Sequence, residues 1–233
     1  MAEDNIGNKK LNGKELSEKW LKKICASVKK MPRKLGLAAV LIGDNPSSHL
    51  YVRLKKEACE KCDIHFHRYS FNDDYSEEEL IKVIKFLNND DEINGILVQL
   101  PLPQKYDPDK IIQAIDPRKD VDGLHPETRE KFCLTCSGIV SPLVLGIVEL
   151  LNSTKEVIKN KKIAILCNHK VFGEPFFCFY GADNEINVLT PTEVNYQKQL
   201  KNADIVIVAI GRPKFINAEM IKDRAIVDRK SVV

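Results

Sequence analysis

The chain has 233 residues, 43% hydrophobic and 30% charged, and its 36 Lys and Arg against 33 Asp and Glu leave a formal charge of +3. That composition argues against disorder, and the interspersed charges leave no basic footprint for a nucleic acid. No apolar run approaches the roughly 20 residues a bilayer crossing needs, and the opening MAEDNIGNKK lacks the apolar core of a secretory signal, so a cytoplasmic protein without membrane or nucleic-acid partner is expected.

At roughly 150 residues per domain, the length admits one large or two small domains. In chain order, runs rich in β-branched residues at 35–43, 64–71, 93–100, 161–167, 185–190, 203–211 and 224–228 predict strands. Segments of helical period separate them. The stretch at 76–89, SEEELIKVIKFLNN, opens with a Ser cap and early acids, as a helix should. Alternating strand and helix predicts an α/β fold of βαβ units with mostly parallel sheets. The rhythm breaks at about 101–142, where turn formers recur every few residues, so a junction between two α/β halves is expected there. The domains are placed at 1–140 and 141–233.

Seven cysteines make an odd number and are scattered, which fits reduced thiols better than a disulfide framework. Cys59 with Cys62, and Cys133 with Cys136, have ligand-like spacing. The first pair lies in a helical pattern with no turn to fold both sulfurs round an ion, so unrelated thiols are the commoner reading and no metal is expected. In HFH at 65–67, alternate strand residues share a face by default.

Ligands in such folds collect at the carboxyl ends of strands. Three stretches stand out there: YVRLK at 51–55, VQLPLP at 98–103 and DVDGLHP at 120–126. Tyr51 and Lys55 are four residues apart and share a helix face, while Lys56 points about 100° away toward water. A lysine held on a buried face loses hydration, which makes its neutral form accessible for proton transfer. On spacing alone, surface packing is the commoner reading. Gln99 ends an apolar strand beside two prolines, so its amide can face a ligand or hold a lysine amine. Asp120 and Asp122 read either as acceptors for a heterocycle with N–H donors or as turn and cap residues.

Together, GLAAVLIGDNPSSHLYVRLKKEACEKCDI (36–64), INGILVQLPLP (93–103), RKDVDGLHP (118–126) and NADIVIVAIGRPKFI (202–216) resemble the bifunctional methylenetetrahydrofolate dehydrogenase and methenyltetrahydrofolate cyclohydrolase family, over roughly residues 8–228. The resemblance implies two α/β domains with a cleft between them, folate against the first and a nicotinamide cofactor against a Rossmann-like second. It implies oxidation of 5,10-methylenetetrahydrofolate with NADP, then hydrolysis of the methenyl product to 10-formyltetrahydrofolate, in a homodimer serving one-carbon metabolism and purine biosynthesis. By position it makes Lys55 the catalytic lysine, Gln99 its partner, Asp122 the acid that holds the pterin and Tyr51 the stacking ring, with Val98, Leu100 and Pro101 beside the folate. Cys167, Asn168, His169, Gly173, Thr192 and Gly211 are implied on the cofactor side.

The departures fall on that cofactor side. The family's Gly-Arg-Ser type turn reads Cys167-Asn168-His169 here, although Gly173 and Pro175 remain. Asn168 lacks the charge an arginine would offer the 2′-phosphate of NADP, so NAD is admitted as well, and His169 compensates only when protonated. The family's linker of Pro-Cys-Thr-Pro type reads SPLV at 141–144. The family's later Pro-Gly-Gly segment and final helix have no counterpart before the chain stops at RKSVV, so the second domain is expected to be truncated and dehydrogenase activity reduced. A cyclohydrolase with weak or lost dehydrogenase activity, and a non-catalytic folate-binding relative, are the rival expectations.

Overall fold

A computed structural model describes residues 11–229, Arg229 by its backbone alone. The opening MAEDNIGNKK and the last four residues of RKSVV lie outside the described residues. The chain forms two compact units: residues up to Val121 with Glu149–Lys155, and Asp122–Val148 with Glu156 onward.

The first unit holds α1 (Gly13–Val28), β1 (Gly36–Ile42), α2 (Pro46–Lys61), β2 (His65–Phe71), α3 (Glu77–Asn88), β3 (Gly95–Val98) and α4 (Pro108–Gln113). Its sheet has the order β2-β1-β3, both pairs parallel, with Ala38 opposite His67 on one side and Ile96 on the other. β1 shows no polar alternation because both its faces are buried. Ala38, Val40 and Ile42 join Leu80, Ile84 and Leu87 of α3, whereas Ala39 and Leu41 meet Val52 of α2. Each such Leu or Ile removed from water contributes about 1.5–3 kcal/mol. α3 starts with the expected capping box: Glu79 N–H donates to Ser76 Oγ at 3.2 Å, and Ser76 N–H donates to Glu79 Oε2 at 2.7 Å.

The second unit contains α5 (Pro126–Thr135), β4 (Lys162–Cys167), a 3₁₀ turn (Lys170–Gly173), α7 (Pro175–Tyr180), β5 (Glu185–Leu189), α8 (Tyr196–Asn202), β6 (Ile205–Ala209) and β7 (Ile226–Arg229). Residues of α6 (Pro142–Ser153) divide between the units after Val148. This sheet is parallel throughout in the order β5-β4-β6-β7. One face is built on Leu166, Leu189, Leu200, Val206 and Val208. The α/β fold with parallel sheets and a Rossmann-like second unit therefore stands.

One expectation needs correction, that of reduced thiols throughout. Within 101–142, Asp107 and His125 each cap a helix whose first residue is proline. Proline suits that position, where its missing N–H has no partner to lose. The cysteines are not all free: Cys25 is bonded to Cys62 and Cys136 to Cys178. Their separations of 37 and 42 residues are bridged by helix packing that cysteine spacing does not encode.

Between β3 and the end of the first unit, Asp116 accepts from the Arg118 guanidinium at 2.6 Å. That bond, joined by the Arg118 backbone N–H, holds the carboxyl at about 2 against an ordinary 3.8. A depressed folded pKa means the contribution is complete above the unfolded value and is lost as pH falls through the folded one. The urea midpoint of Asp116→Asn is therefore expected to lie below wild type at about pH 6, the gap closing as pH falls from 3.8 toward 2.

Candidate active site

Each sheet runs from a central strand to one neighbour and then crosses to the other side, β2-β1-β3 in one unit and β5-β4-β6 in the other. In such folds the point where the direction reverses forms a crevice at the carboxyl ends of the central and third strands, where ligands bind. Those ends are Ile42 and Val98 in the first unit, Cys167 and Ala209 in the second. The candidate residues collect at both.

In the first unit, α2 is set by its own start. The Asn45 side chain accepts from the backbone N–H of Ser47 at 3.0 Å and of Ser48 at 3.2 Å, and Pro46 fixes the first helical residue. Ser48, Val52 and Cys59 form the buried stripe. Tyr51 and Lys55 flank it, both half-buried, while Arg53 and Lys56 are exposed and pair with Glu57 at 3.8 Å and Glu60 at 3.6 Å. Helical spacing thus sorts two neighbouring lysines into different environments.

Lys55 Nζ donates to Gln99 Oε1 at 2.9 Å. Gln99 is 9% exposed, and both of its ends are fixed. Its backbone N–H donates to Val40 O at 2.9 Å, extending the pairing of β1 with β3, and its Nε2 donates to Leu100 O at 2.7 Å. Val98 is buried, Leu100 is half-buried and Pro101, joined to Leu100 by a cis peptide bond, is exposed. An amine held by a fixed neutral amide at a strand end is placed for proton transfer to a ligand in the crevice.

Asp120 is 1% exposed and its backbone bridges to Ile96 beside β3, so the first unit's sheet builds it in. Asp122 is half-buried and is the first residue of the second unit. Ser48 was passed over in the sequence. Its hydroxyl is buried without a hydrogen-bond partner among the described residues, which leaves it for a water or a ligand. The signal was its position three residues before Tyr51 and seven before Lys55, the spacing of one helix face.

In the second unit, Cys167 is 1% exposed and burial pushes its thiol up, so it offers the crevice backbone rather than sulfur chemistry. Asn168 and His169 are exposed, and Asn168 Nδ2 donates to Ile210 O at 3.4 Å, linking the ends of β4 and β6. Gly211 follows with φ +66°, a left-handed conformation suited to glycine. After β5, Thr190 and Thr192 share a hydroxyl hydrogen bond of 2.9 Å. Glu193 Oε1 accepts from Thr190 N–H at 3.0 Å and pairs with Lys170 Nζ at 3.2 Å.

A dinucleotide fits this end of the sheet on a further observation. A Cβ built on Gly173 would lie 2.5 and 2.6 Å from the two γ-carbons of Val188, so glycine is what lets the turn sit against β5. Gly173→Ala is expected to cost of the order of 1–2 kcal/mol by overpacking and to weaken nucleotide binding. Thermal unfolding with and without NADP reads both effects.

The same division appears in comparisons with known proteins. Residues 11–122 match the family model described as tetrahydrofolate dehydrogenase/cyclohydrolase, catalytic domain, and residues 142–228 match its NAD(P)-binding domain. Bifunctional protein FolD of Lachnoclostridium phytofermentans is 36% identical over 223 residues, covering 95% of this chain and 78% of that protein. The crystal structure of bifunctional FolD methylenetetrahydrofolate dehydrogenase/cyclohydrolase from Campylobacter jejuni superposes with a TM-score of 0.84 at 34% identity, over 93% of this chain and 79% of that one. The Trypanosoma brucei FolD, solved with NADP cofactor and an inhibitor, gives a TM-score of 0.85 at 25% identity, over 93% of this chain and 76% of that one. With both family models matched across most of its length, the chain belongs to the tetrahydrofolate dehydrogenase/cyclohydrolase family.

Proposed function

We propose that the protein is a bifunctional one-carbon enzyme, oxidising 5,10-methylenetetrahydrofolate with NADP and hydrolysing the 5,10-methenyl product to 10-formyltetrahydrofolate. The observation that carries this reading is the Lys55–Gln99 hydrogen bond of 2.9 Å at the strand crossing of the first unit. Residues 1–140 are taken as the folate-binding part and 141–233 as the nicotinamide part. Tyr51 stacks beside the folate, Val98, Leu100 and Pro101 line it, and Asp122 accepts from the pterin N–H groups. A cytoplasmic homodimer supplying formyl groups to purine biosynthesis completes the reading.

NADP, when bound, supplies the hydride acceptor, so the residues around it need only hold and orient it. The backbone of Cys167, Asn168 and His169, the Gly173 turn, Thr192 and Gly211 would do this. Hydrolysis asks more of side chains. Water adds to the electrophilic methenyl carbon and loses a proton, which Lys55 takes. The ring nitrogen then gains a proton as its bond to that carbon breaks, which Lys55 returns. Gln99 holds the amine in line for both transfers.

A second reading, cyclohydrolase with weak or lost dehydrogenase activity, is favoured by Asn168, which brings no positive charge to the cofactor turn. Following methylenetetrahydrofolate-dependent reduction of NADP⁺ and of NAD⁺, alongside hydrolysis of added methenyltetrahydrofolate, separates the two. Both activities are expected. Hydrolysis alone would select the second reading, and neither activity with folate still bound would leave a binding protein.

A further inference from the structure

Three of the seven cysteines converge on one concavity in the second unit. Cys136 caps the end of α5, Cys178 lies within α7, and their sulfurs are bonded. Cys133, one turn before Cys136, is a free thiol. It lines the same cavity of about 290 Å³ with Cys136, Glu174, Phe177 and Cys178. Neither the folate chemistry nor the nicotinamide chemistry uses these sulfurs.

The two bonded pairs differ in access. Cys62 is 1% exposed, so the Cys25–Cys62 bond is shielded from solvent on that side. Cys136 is exposed and Cys178 half-buried, so an external thiol can reach the second bond. Cys136 also has φ +49°, a left-handed conformation that disfavours a non-glycine residue. A tie to α7 helps hold it there. On the other side of the bond, α7 begins at Pro175, two residues after the Gly173 of the cofactor turn.

We propose that the Cys136–Cys178 bond is a thiol–disulfide exchange site for an external dithiol, and that its state sets how firmly the nicotinamide turn is held and hence the affinity for NADP. The second half rests on the cofactor reading above. In the forward step a reagent thiolate attacks Sγ of Cys136, the more exposed of the two residues. A mixed disulfide forms, the Cys136–Cys178 bond breaks, and Cys178 leaves as a thiolate that takes up a proton. The reagent's second thiol then displaces Cys136, so the reagent ends oxidised and the protein gains two thiols. The oxidised reagent drives the reverse. Burial, with Glu174 adding to it, pushes the Cys133 thiol up, so at neutral pH it stays protonated and leaves the attack to the incoming dithiol.

The test equilibrates the wild-type chain with oxidised or reduced dithiothreitol, maps thiols by alkylation and mass spectrometry, and titrates NADP in each state. Cys136 and Cys178 are expected to pass from linked to alkylated under conditions that leave Cys25 and Cys62 linked. The Kd for NADP is expected to rise about five-fold or more on reduction, and Cys178→Ser to show the weaker affinity in both buffers. An absent linkage in oxidised buffer, or one opening no sooner than Cys25–Cys62, overturns the exchange site. Equal NADP affinity in both states overturns the coupling alone. Absence of NADP binding in every state overturns the cofactor reading and the coupling together, while the alkylation map still decides the exchange site.

Discussion

Lys55→Met is expected to lower hydrolysis of 5,10-methenyltetrahydrofolate by about 10²–10⁴-fold, the range typical of a lost general acid–base group, while folate binding stays measurable. Methionine keeps an unbranched stem of similar reach, so packing beside the buried stripe of α2 is largely retained and only the amine is lost. Lys56→Met is the matching control, because Lys56 is exposed and paired with Glu60 at 3.6 Å. An exposed pair of that kind is worth about 0.3–0.5 kcal/mol on a helix, so its turnover should be unchanged. Gln99→Ala should fall between them. It leaves the amine in place but removes the 2.9 Å contact that aims it. Undiminished hydrolysis in Lys55→Met, read from the decay of methenyl absorbance, would refute the proton-carrier role.

The fold was legible wherever one residue's burial decided its neighbours' pattern. LGLAAVLIG reads as a strand because β1 is covered on both faces, and the Ser76 to Glu79 spacing reads as a helix start because the capping box is local. Tyr51 and Lys55 could be put on one face for the same reason, since four residues make about one turn. That Lys55 meets Gln99, 44 residues away, rests on β1 lying next to β3, and strand order is not written in periodicity. Family resemblance rather than residue pattern supplied that pairing. What stayed hidden was tertiary in origin. Asp107-Pro108 and His125-Pro126 look like turns until a helix is seen to follow. Asp120 reads as a turn acid, yet its backbone pairs beside Ile96 and it is almost wholly buried. Cys25 and Cys136 give no local sign of their partners, because only the packing of α1 on α2 and of α5 on α7 brings the sulfurs together.

Asn168→Arg is expected to raise the preference for NADP over NAD by about 10–100-fold, because a hydrogen bond to a charged group contributes about 1.5–3 kcal/mol. Asn168 follows the last residue of β4 and is exposed, so a longer side chain there has room to extend along the strand ends. The substitution gives up only the 3.4 Å bond to Ile210 O, a long contact with little to lose. The second charge near this edge is already answered. Glu193, where an acid would favour the unphosphorylated ribose of NAD, is engaged by the Thr190 N–H and by Lys170 at 3.2 Å. Those partners hold its carboxyl below the usual range despite some burial, so it is charged yet already paired. An arginine at 168 therefore meets the 2′-phosphate beside a carboxylate already paired with Lys170 rather than an open one. The measurement is the ratio of kcat/KM for NADP⁺ and NAD⁺ in wild type and variant. A gain for NADP⁺ with NAD⁺ unchanged places the phosphate at this turn, and an unchanged ratio would move the cofactor's adenosine end elsewhere on the sheet.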